Sequence, residues 1–235
     1  MEFTTVERTR PGRLLGSVYK RLFVPAFPAD ELVPESELAA ALDSGSGSLL
    51  AMLDHAGVPV AAAFGRWSPG SRVVLLWYLA VDPHVRGAGL GSRVLGEAVA
   101  AWRGRYEPCL ILAEIEDPDG PVHELHGDPR RRLAFYEKAG ANVLDLPYFQ
   151  PGIGDQSRRI PGMLLLALHA SPEFTLDRPD RIAGTPLRAF MAEYLESAEG
   201  RRPDDTAAND LFAAIDRPGG VPMGRWRGTS GQEHR

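Results

Sequence analysis

The stretch Leu79-Ala-Val-Asp-Pro-His-Val-Arg-Gly-Ala-Gly-Leu-Gly-Ser92 says more about the fold than any other part of the chain. It begins in an apolar run, passes through a turn with glycines at Gly87, Gly89 and Gly91, and enters a helical pattern. Because glycine has no Cβ atom, a ligand can approach the backbone N–H groups closely, and the helix start adds a positive dipole end. The stretch therefore predicts a site for phosphate oxygens.

Two common phosphate-binding loops do not fit this turn. A Walker loop requires Gly-Lys-Ser/Thr, which is absent here, and the dinucleotide fingerprint requires a third glycine where this chain has Ser92. The chain before the turn also reads as an antiparallel meander, which disagrees with a doubly wound nucleotide fold.

Upstream of the turn, apolar spacing predicts two helices and then three strands. Turn residues at Gly57 and at Ser68-Pro69-Gly70 separate the strands. The third strand is apolar at every position from Val73 to Val81, which is typical of a central strand covered on both faces. The predicted helices cover 11–26 and 34–42, and the predicted strands cover 49–54, 58–65 and 72–81.

Downstream, the pattern alternates between helix and strand before it becomes helical. We expect the tail from 217 onward to be poorly ordered, because it is rich in Gly, Pro and Arg. The predicted elements are helices at 92–105, 130–139, 186–198 and 204–215 and strands at 109–116, 143–149 and 163–169, with a loop at 117–129.

The stretch from Leu79 to Ser92 resembles motif A of the GNAT acetyltransferases, with Arg86, Gly89 and Gly91 at the motif positions. A second stretch, Ala134-Phe-Tyr-Glu-Lys-Ala-Gly-Ala141, resembles motif B of the same family. The resemblance covers about 11–170. It implies a mixed α/β GNAT fold, with a central, mostly antiparallel, splayed sheet of six to seven strands flanked by helices. We expect a GNAT domain at 1–170 and a helical extension with a flexible tail at 171–235.

The resemblance also implies acetyl-CoA as co-substrate. Its pantetheine arm would pair with the strand backbone at Leu79, Ala80 and Val81, as an added strand does. Its pyrophosphate would meet the backbone amides of Arg86, Gly87, Ala88, Gly89, Leu90, Gly91 and Ser92. A solvated surface charge is the alternative for Arg86. Many family members carry an asparagine where this chain has Pro129, and Asp128 or Arg131 are candidates to replace its cofactor contact.

In motif B, Tyr136 stands at the position of the family's general acid. A phenol with a pKa of about 10 can hold a proton at neutral pH and share it with a leaving thiolate. The alternative for Tyr136 is a packed helix aromatic. The resemblance further implies that a backbone N–H near Val81 polarises the thioester carbonyl.

Candidates for the base lie on the strand at 109–116, where alternation places Glu114 and Glu116 on one face, roughly 7 Å apart. Mutual repulsion would raise one pKa and favour proton acceptance, while the other carboxylate could hold an ammonium group. A solvated strand end is the alternative for the pair. Glu114 should lie nearer the thioester and Glu116 nearer the cleft mouth.

The loop at 117–129 adds His123, His126 and Asp128 as candidate proton relays. The two histidines lack further ligands at suitable spacing, so no metal site is expected.

The composition narrows the choice of partners. A formal charge of −5 argues against nucleic-acid binding, and no apolar run approaches the length of a membrane helix. The single cysteine, Cys109, is either a core thiol or a nucleophile, and it fits a reducing compartment. With no apolar leader at the start, we expect a cytoplasmic protein; heavy use of Arg, Ala and Gly suggests a GC-rich, bacterial genome.

The leading hypothesis is an enzyme, an N-acetyltransferase that transfers acetyl to a primary amine of a small molecule or peptide by direct attack in a ternary complex. A CoA-binding sensor or assembly protein is the alternative, and other acyl donors stay open. The extension should pack on the sheet; covering the acceptor cleft, or forming a homodimer contact through Leu187, Phe190, Met191 and Tyr194, are its alternatives.

Overall fold

The computed structural model of the chain describes residues 3–29, 31–120, 127–152, 158–200 and 203–228. It has a mixed α/β fold with a mostly antiparallel open sheet flanked by helices, which confirms the predicted fold class. The chain forms two compact units. Unit 1 comprises Met1–Pro69 and Val74–Glu107, and unit 2 comprises Gly70–Val73 and Pro108–Arg235.

Unit 1 contains four neighbouring strands in chain order, and the predicted meander accounts for three of them. The elements are β1 (Thr4–Arg8), α1 (Arg13–Val18), a π-helical turn (Tyr19–Phe23), α2 (Val24–Ala26), α3 (Glu35–Asp43), β2 (Gly47–Leu53), β3 (Pro59–Ser68), β4 (Val73–Val81, mostly in this unit) and α4 (Leu90–Tyr106). The pairs β1–β2 and β2–β3 are antiparallel, and the backbone N–H of Asp82, just after β4, donates to the Val60 carbonyl on β3.

A close contact fixes α4 against β3. The indole ring of Trp102 is fully buried, and a Cβ atom built on Gly65 would lie 2.6 Å from that ring. Only a residue without a side chain lets the helix approach this near. At the end of α4, Tyr106 stacks on Trp67 of β3 with ring centroids 4.4 Å apart. These aromatic contacts hold the helix that begins at the glycine turn.

The elements of unit 2 are β5 (Leu110–Glu116), α5 (Pro129–Lys138), β6 (Asn142–Leu144), β7 (Met163–Ala170), β8 (Arg181–Ile182), α6 (Gly184–Glu199), α7 (Thr206–Ile215) and β9 (Val221–Gly224). The five strands among its described residues lie in the order β5-β7-β6-β9-β8, and each neighbouring pair is antiparallel. The two helices of the extension, α6 and α7, bury Leu187, Phe190 and Met191 on α6 and Leu211 and Ile215 on α7, so the apolar stripes pack inside this unit.

Three strands are additional to those that the sequence predicts, and one is shorter. Strands β1 and β8 are short, and β9 lies in the tail that the composition from 217 onward predicts to be poorly ordered. Strand β6 ends at Leu144 instead of 149, and the backbone N–H of Asp145 then donates to the Pro222 carbonyl of β9. Strands of two to five residues with mixed exposure carry too little alternation to be recognised.

No helix among the described residues is both long and apolar enough to cross a membrane.

We predict that Gly65→Ala lowers the free energy of unfolding by about 1–3 kcal/mol, because the new methyl group overlaps the Trp102 ring. Urea denaturation of the full chain measures the change. The control is Gly104→Ala on α4, where a Cβ meets nothing within 4 Å; that variant should be about 0.5–1 kcal/mol more stable. Equal stability of Gly65→Ala and the parent protein would show that α4 does not depend on this contact.

Candidate active site

The glycine turn of unit 1 has the backbone geometry that anion binding requires. The Asp82 carboxylate accepts a hydrogen bond of 2.9 Å from the backbone N–H of His84, which starts a short 3-10 turn. Gly87 and Gly89 then adopt positive φ angles of 87° and 74°. Gly89 is the N-cap of α4 and offers no side-chain cap. The first backbone N–H groups of the helix therefore precede its internal hydrogen-bond ladder and point out of its positive end.

The turn is also accessible. Residues 86–89 are exposed, and a Cβ atom on Gly87 or Gly89 would meet nothing within 4 Å. Before the turn, Leu79 and Val81 of β4 are half-buried and Ala80 is buried. An exposed run of amides at a helix start suits the pyrophosphate of acetyl-CoA, so the residues present fit that group.

In unit 2, α5 carries the candidate acid. The Asp128 carboxylate caps the helix by accepting from the backbone N–H of Arg130 at 2.9 Å, and Pro129 occupies the first turn, where proline is favoured. This start accounts for the proline that replaces the asparagine of many family members. Asp128, one of the candidate relays, serves as the helix cap, whereas His123 and His126 lie outside the described residues.

Tyr136 lies one helical turn after Arg132, so both side chains share a face of α5. Burial raises the pKa of Tyr136 to about 12, against the opposing effect of the Arg132 charge. Among the described residues its hydroxyl has no hydrogen-bond partner. The phenol therefore holds its proton at physiological pH, and no residue in the described part of the chain accepts a hydrogen bond from it.

Glu114 of β5 is held by two phenols. The Tyr148 hydroxyl donates to Glu114 Oε1 at 2.5 Å, and the Tyr194 hydroxyl donates to Oε2 at 3.2 Å. Burial raises the pKa of Glu114 to about 7, although both hydrogen bonds favour the carboxylate and act to lower it. A carboxyl group with a pKa near neutrality can accept a proton and release it again at physiological pH.

Glu116, two residues further along β5, has a different environment. Its Oε2 atom forms an ion pair with the Arg132 guanidinium of α5. An arginine partner favours the ionised carboxylate and occupies an oxygen that would otherwise accept a proton. The two candidate bases are therefore distinguishable, and the surroundings of Glu114 are those of a proton acceptor.

Three residues of this cluster are not identified by the sequence as functional candidates. Tyr148 falls in a predicted strand but lies beyond the end of β6, and Arg132 falls in a predicted helix without a role of its own. Tyr194 is predicted only as a candidate dimer contact. Its neighbours Leu187, Phe190 and Met191 are buried within the chain, which makes them unavailable for that contact. Of these contacts, the sequence could have indicated only that Arg132 and Tyr136, four residues apart on a helix, share a face.

A family model and solved structures of other proteins match this fold. Residues 17–128 match the family model of the acetyltransferase (GNAT) family. A candidate GNAT acetyltransferase structure from Bacteroides thetaiotaomicron is 18% identical over 83% of this chain and 99% of its own, with a TM-score of 0.55. A candidate acetyltransferase from Acinetobacter baylyi ADP1 is 14% identical over 72% and 97%, with a TM-score of 0.50. No curated protein matches the chain.

These matches define the class, a GNAT-type acetyltransferase fold. Residues 17–128 carry the match to the GNAT acetyltransferase family, and the predicted resemblance to this family is confirmed.

Burial of Glu114 predicts a pH-dependent stability. Because the folded-state pKa of about 7 exceeds the unfolded value of about 4.3, the native state binds the extra proton between them, and stability falls as pH rises through this window. Glu114→Gln removes this loss. The variant should therefore become more stable relative to the parent as the pH rises. The difference between their free energies of unfolding should change by about 3 kcal/mol in favour of the variant between pH 4.5 and pH 8.

Urea denaturation at both pH values measures this difference. The control is Glu193→Gln, an exposed position on α6, which should show no comparable change with pH. A pH-independent difference between Glu114→Gln and the parent would contradict the burial of an ionisable carboxyl group at this position.

Proposed function

We propose that the protein is an acyl-CoA-dependent N-acyltransferase that moves acetyl from acetyl-CoA to a primary amine of a small molecule or peptide. The observation that carries this proposal is the exposed glycine turn at the start of α4, within a chain whose residues 17–128 match the GNAT family model. Acetyl-CoA would supply an activated acyl carbon and a thiolate leaving group. The reaction would be a direct attack in a ternary complex.

Each step of this reaction has a candidate group. Glu114 takes a proton from the acceptor ammonium, directly or through water, and the free amine attacks the thioester carbonyl. The backbone N–H near Val81 stabilises the oxyanion. The C–N bond forms and the C–S bond breaks. The second proton of the attacking nitrogen passes to the departing thiolate to give the free thiol, while the Tyr136 hydroxyl donates a hydrogen bond to the sulfur. Glu116, paired with Arg132, is the second candidate base.

The high pKa of Tyr136 determines how this acid acts. A phenol with a pKa of about 12 is weaker than a thiol of about 8.5, so complete proton transfer to a thiolate is uphill by roughly 5 kcal/mol. Tyr136 therefore stabilises the thiolate chiefly as a hydrogen-bond donor. The same mismatch is the observation that favours the second candidate, a CoA-binding sensor or assembly protein without catalysis.

We predict that Tyr136→Phe binds acetyl-CoA as tightly as the parent protein but turns over about 100-fold more slowly, because the sulfur loses its donor. Thiol release from acetyl-CoA, screened against polyamines, amino acids, aminoglycosides and peptides, identifies the acceptor and measures turnover. Isothermal titration gives the Kd. Unchanged turnover would remove Tyr136 from the mechanism, and tight CoA binding without thiol release for any amine would favour the sensor.

A second prediction concerns the donor site. Gly89→Ala should raise the Kd for CoA about tenfold, because an alanine at a left-handed φ costs about 1–2 kcal/mol and displaces the amides of the turn. The control is Gly96→Ala, an exposed position on the same helix with open space around it. If both variants bind CoA with the parent affinity in calorimetry, the turn is not the pyrophosphate site.

A further inference from the structure

We propose that the C-terminal extension belongs to the catalytic apparatus, and that Tyr194 of α6 is a positioning residue that orients Glu114 toward the acceptor amine. This inference rests on the proposed function, because it assumes that Glu114 is the base. It assigns the extension a role beyond packing, and it makes the GNAT domain dependent on a segment that the matched residues 17–128 do not include.

Hydrogen-bond geometry is the first support. The Tyr194 hydroxyl lies 3.2 Å from Glu114 Oε2 and 3.4 Å from Oε1, and Tyr148 approaches Oε1 at 2.5 Å. Both carboxylate oxygens are therefore engaged, from two different segments of the chain. Two donors on one carboxylate restrict its rotation, and each oxygen keeps a second lone pair for a substrate proton.

Tyr194 is held rigidly enough to orient the Glu114 carboxylate. Its ring stacks on Phe190 with centroids 5.5 Å apart, and Leu195 beside it is fully buried. The residue itself is only half-buried, so its ring is anchored in the packed face of α6 while the hydroxyl reaches β5. A side chain fixed by packing loses little further entropy when it orients a neighbour.

A second anchor ties the two tyrosine-bearing segments together. The Arg159 guanidinium binds the Glu199 carboxylate at the end of α6 in a bidentate pair of 2.6 and 2.8 Å, and it also binds Asp205, the cap of α7, at 2.8 Å. The same guanidinium lies 4.4 Å from the ring centroid of Phe149, the neighbour of Tyr148. The position of α6 and that of the segment after β6 are thus coupled through one arginine.

The groups around Glu114 predict the direction in which its pKa changes when the Tyr194 hydroxyl is removed. Tyr148 and Tyr194 face it from neighbouring segments, Glu116 with its partner Arg132 lies further along β5, and the apolar Leu165 stands opposite on β7. Both tyrosine hydroxyls stabilise the charged form against the effect of burial. Removing the Tyr194 hydroxyl therefore raises the pKa of Glu114 and moves it away from neutrality.

The test compares Tyr194→Phe with the parent in the full chain. We expect the acid limb of the kcat/KM profile, near pH 7 in the parent, to move upward by about one unit, since a hydrogen bond to a charged group contributes that much. At pH 7, kcat should fall roughly fivefold, because that shift lowers the ionised fraction of Glu114 by this factor, with the KM for acetyl-CoA unchanged. Tyr148→Phe should shift the limb in the same direction.

Tyr106→Phe is the matched control, because that phenol stacks on Trp67 in unit 1 and its hydroxyl has no hydrogen-bond partner among the described residues. It should leave the pH profile unchanged. A lower rate for Tyr194→Phe at every pH, with the limb in place, would reduce Tyr194 to a structural role. A change in the acceptor KM alone would make the residue part of the acceptor-binding surface instead, and it too would overturn the proposal.

Failure of the proposed function is separable from failure of this inference. Titration of the Glu114 carboxyl carbon by NMR reports its pKa without any turnover. If Tyr194→Phe raises that pKa but Glu114→Gln keeps the parent rate, Glu114 is not the base and the proposed mechanism fails. If Glu114→Gln loses activity while Tyr194→Phe leaves the Glu114 titration unmoved, only the positioning role fails.

Discussion

The desolvation of one half-buried carboxyl group, Glu114, sets conditions on much of unit 2. A desolvated carboxylate is costly unless donors reach it, and here the donors come from Tyr148, after β6, and Tyr194, on α6. The strand, the segment after β6 and the C-terminal extension must therefore all be in place for Glu114 to be satisfied. The same conditions keep its pKa near neutrality, where proton exchange is useful.

The groups proposed for donor binding and those proposed for proton transfer occupy different compact units. Unit 1 holds the glycine turn, supported by the contact between Gly65 and Trp102 that fixes α4 on β3. Unit 2 holds Glu114, Tyr136 and the Arg132–Glu116 ion pair. Anion binding needs only backbone amides at a helix end, whereas acid–base chemistry needs side chains with adjusted pKa values. Unit 1 thus supplies the backbone amides, and unit 2 supplies the titratable side chains.

Much of the fold was predictable from sequence, because long periodic elements and strong turn residues carry local signals. The helix from Leu90 to Tyr106, the strand from Leu110 to Glu116 and the glycine turn follow the predictions closely. The short strands β1, β8 and β9 do not, since a strand of a few residues is selected by the neighbour that pairs with it. Strand β6 is likewise shorter than predicted and ends at Leu144, although the backbone N–H of Asp145 still donates to the Pro222 carbonyl of β9.

By itself, the sequence determined the glycine turn at the start of a helix, and the spacing of those glycines carries the resemblance to GNAT enzymes and the prediction of the acyl donor. It also narrowed the candidate acid and base to Tyr136 and two strand carboxylates. Only the tertiary structure distinguished Glu114 from Glu116, because the distinction lies in partners from α5, from the segment after β6 and from α6. A backbone turn is encoded by consecutive residues, but a carboxyl pKa is set by whatever the folded chain brings to it.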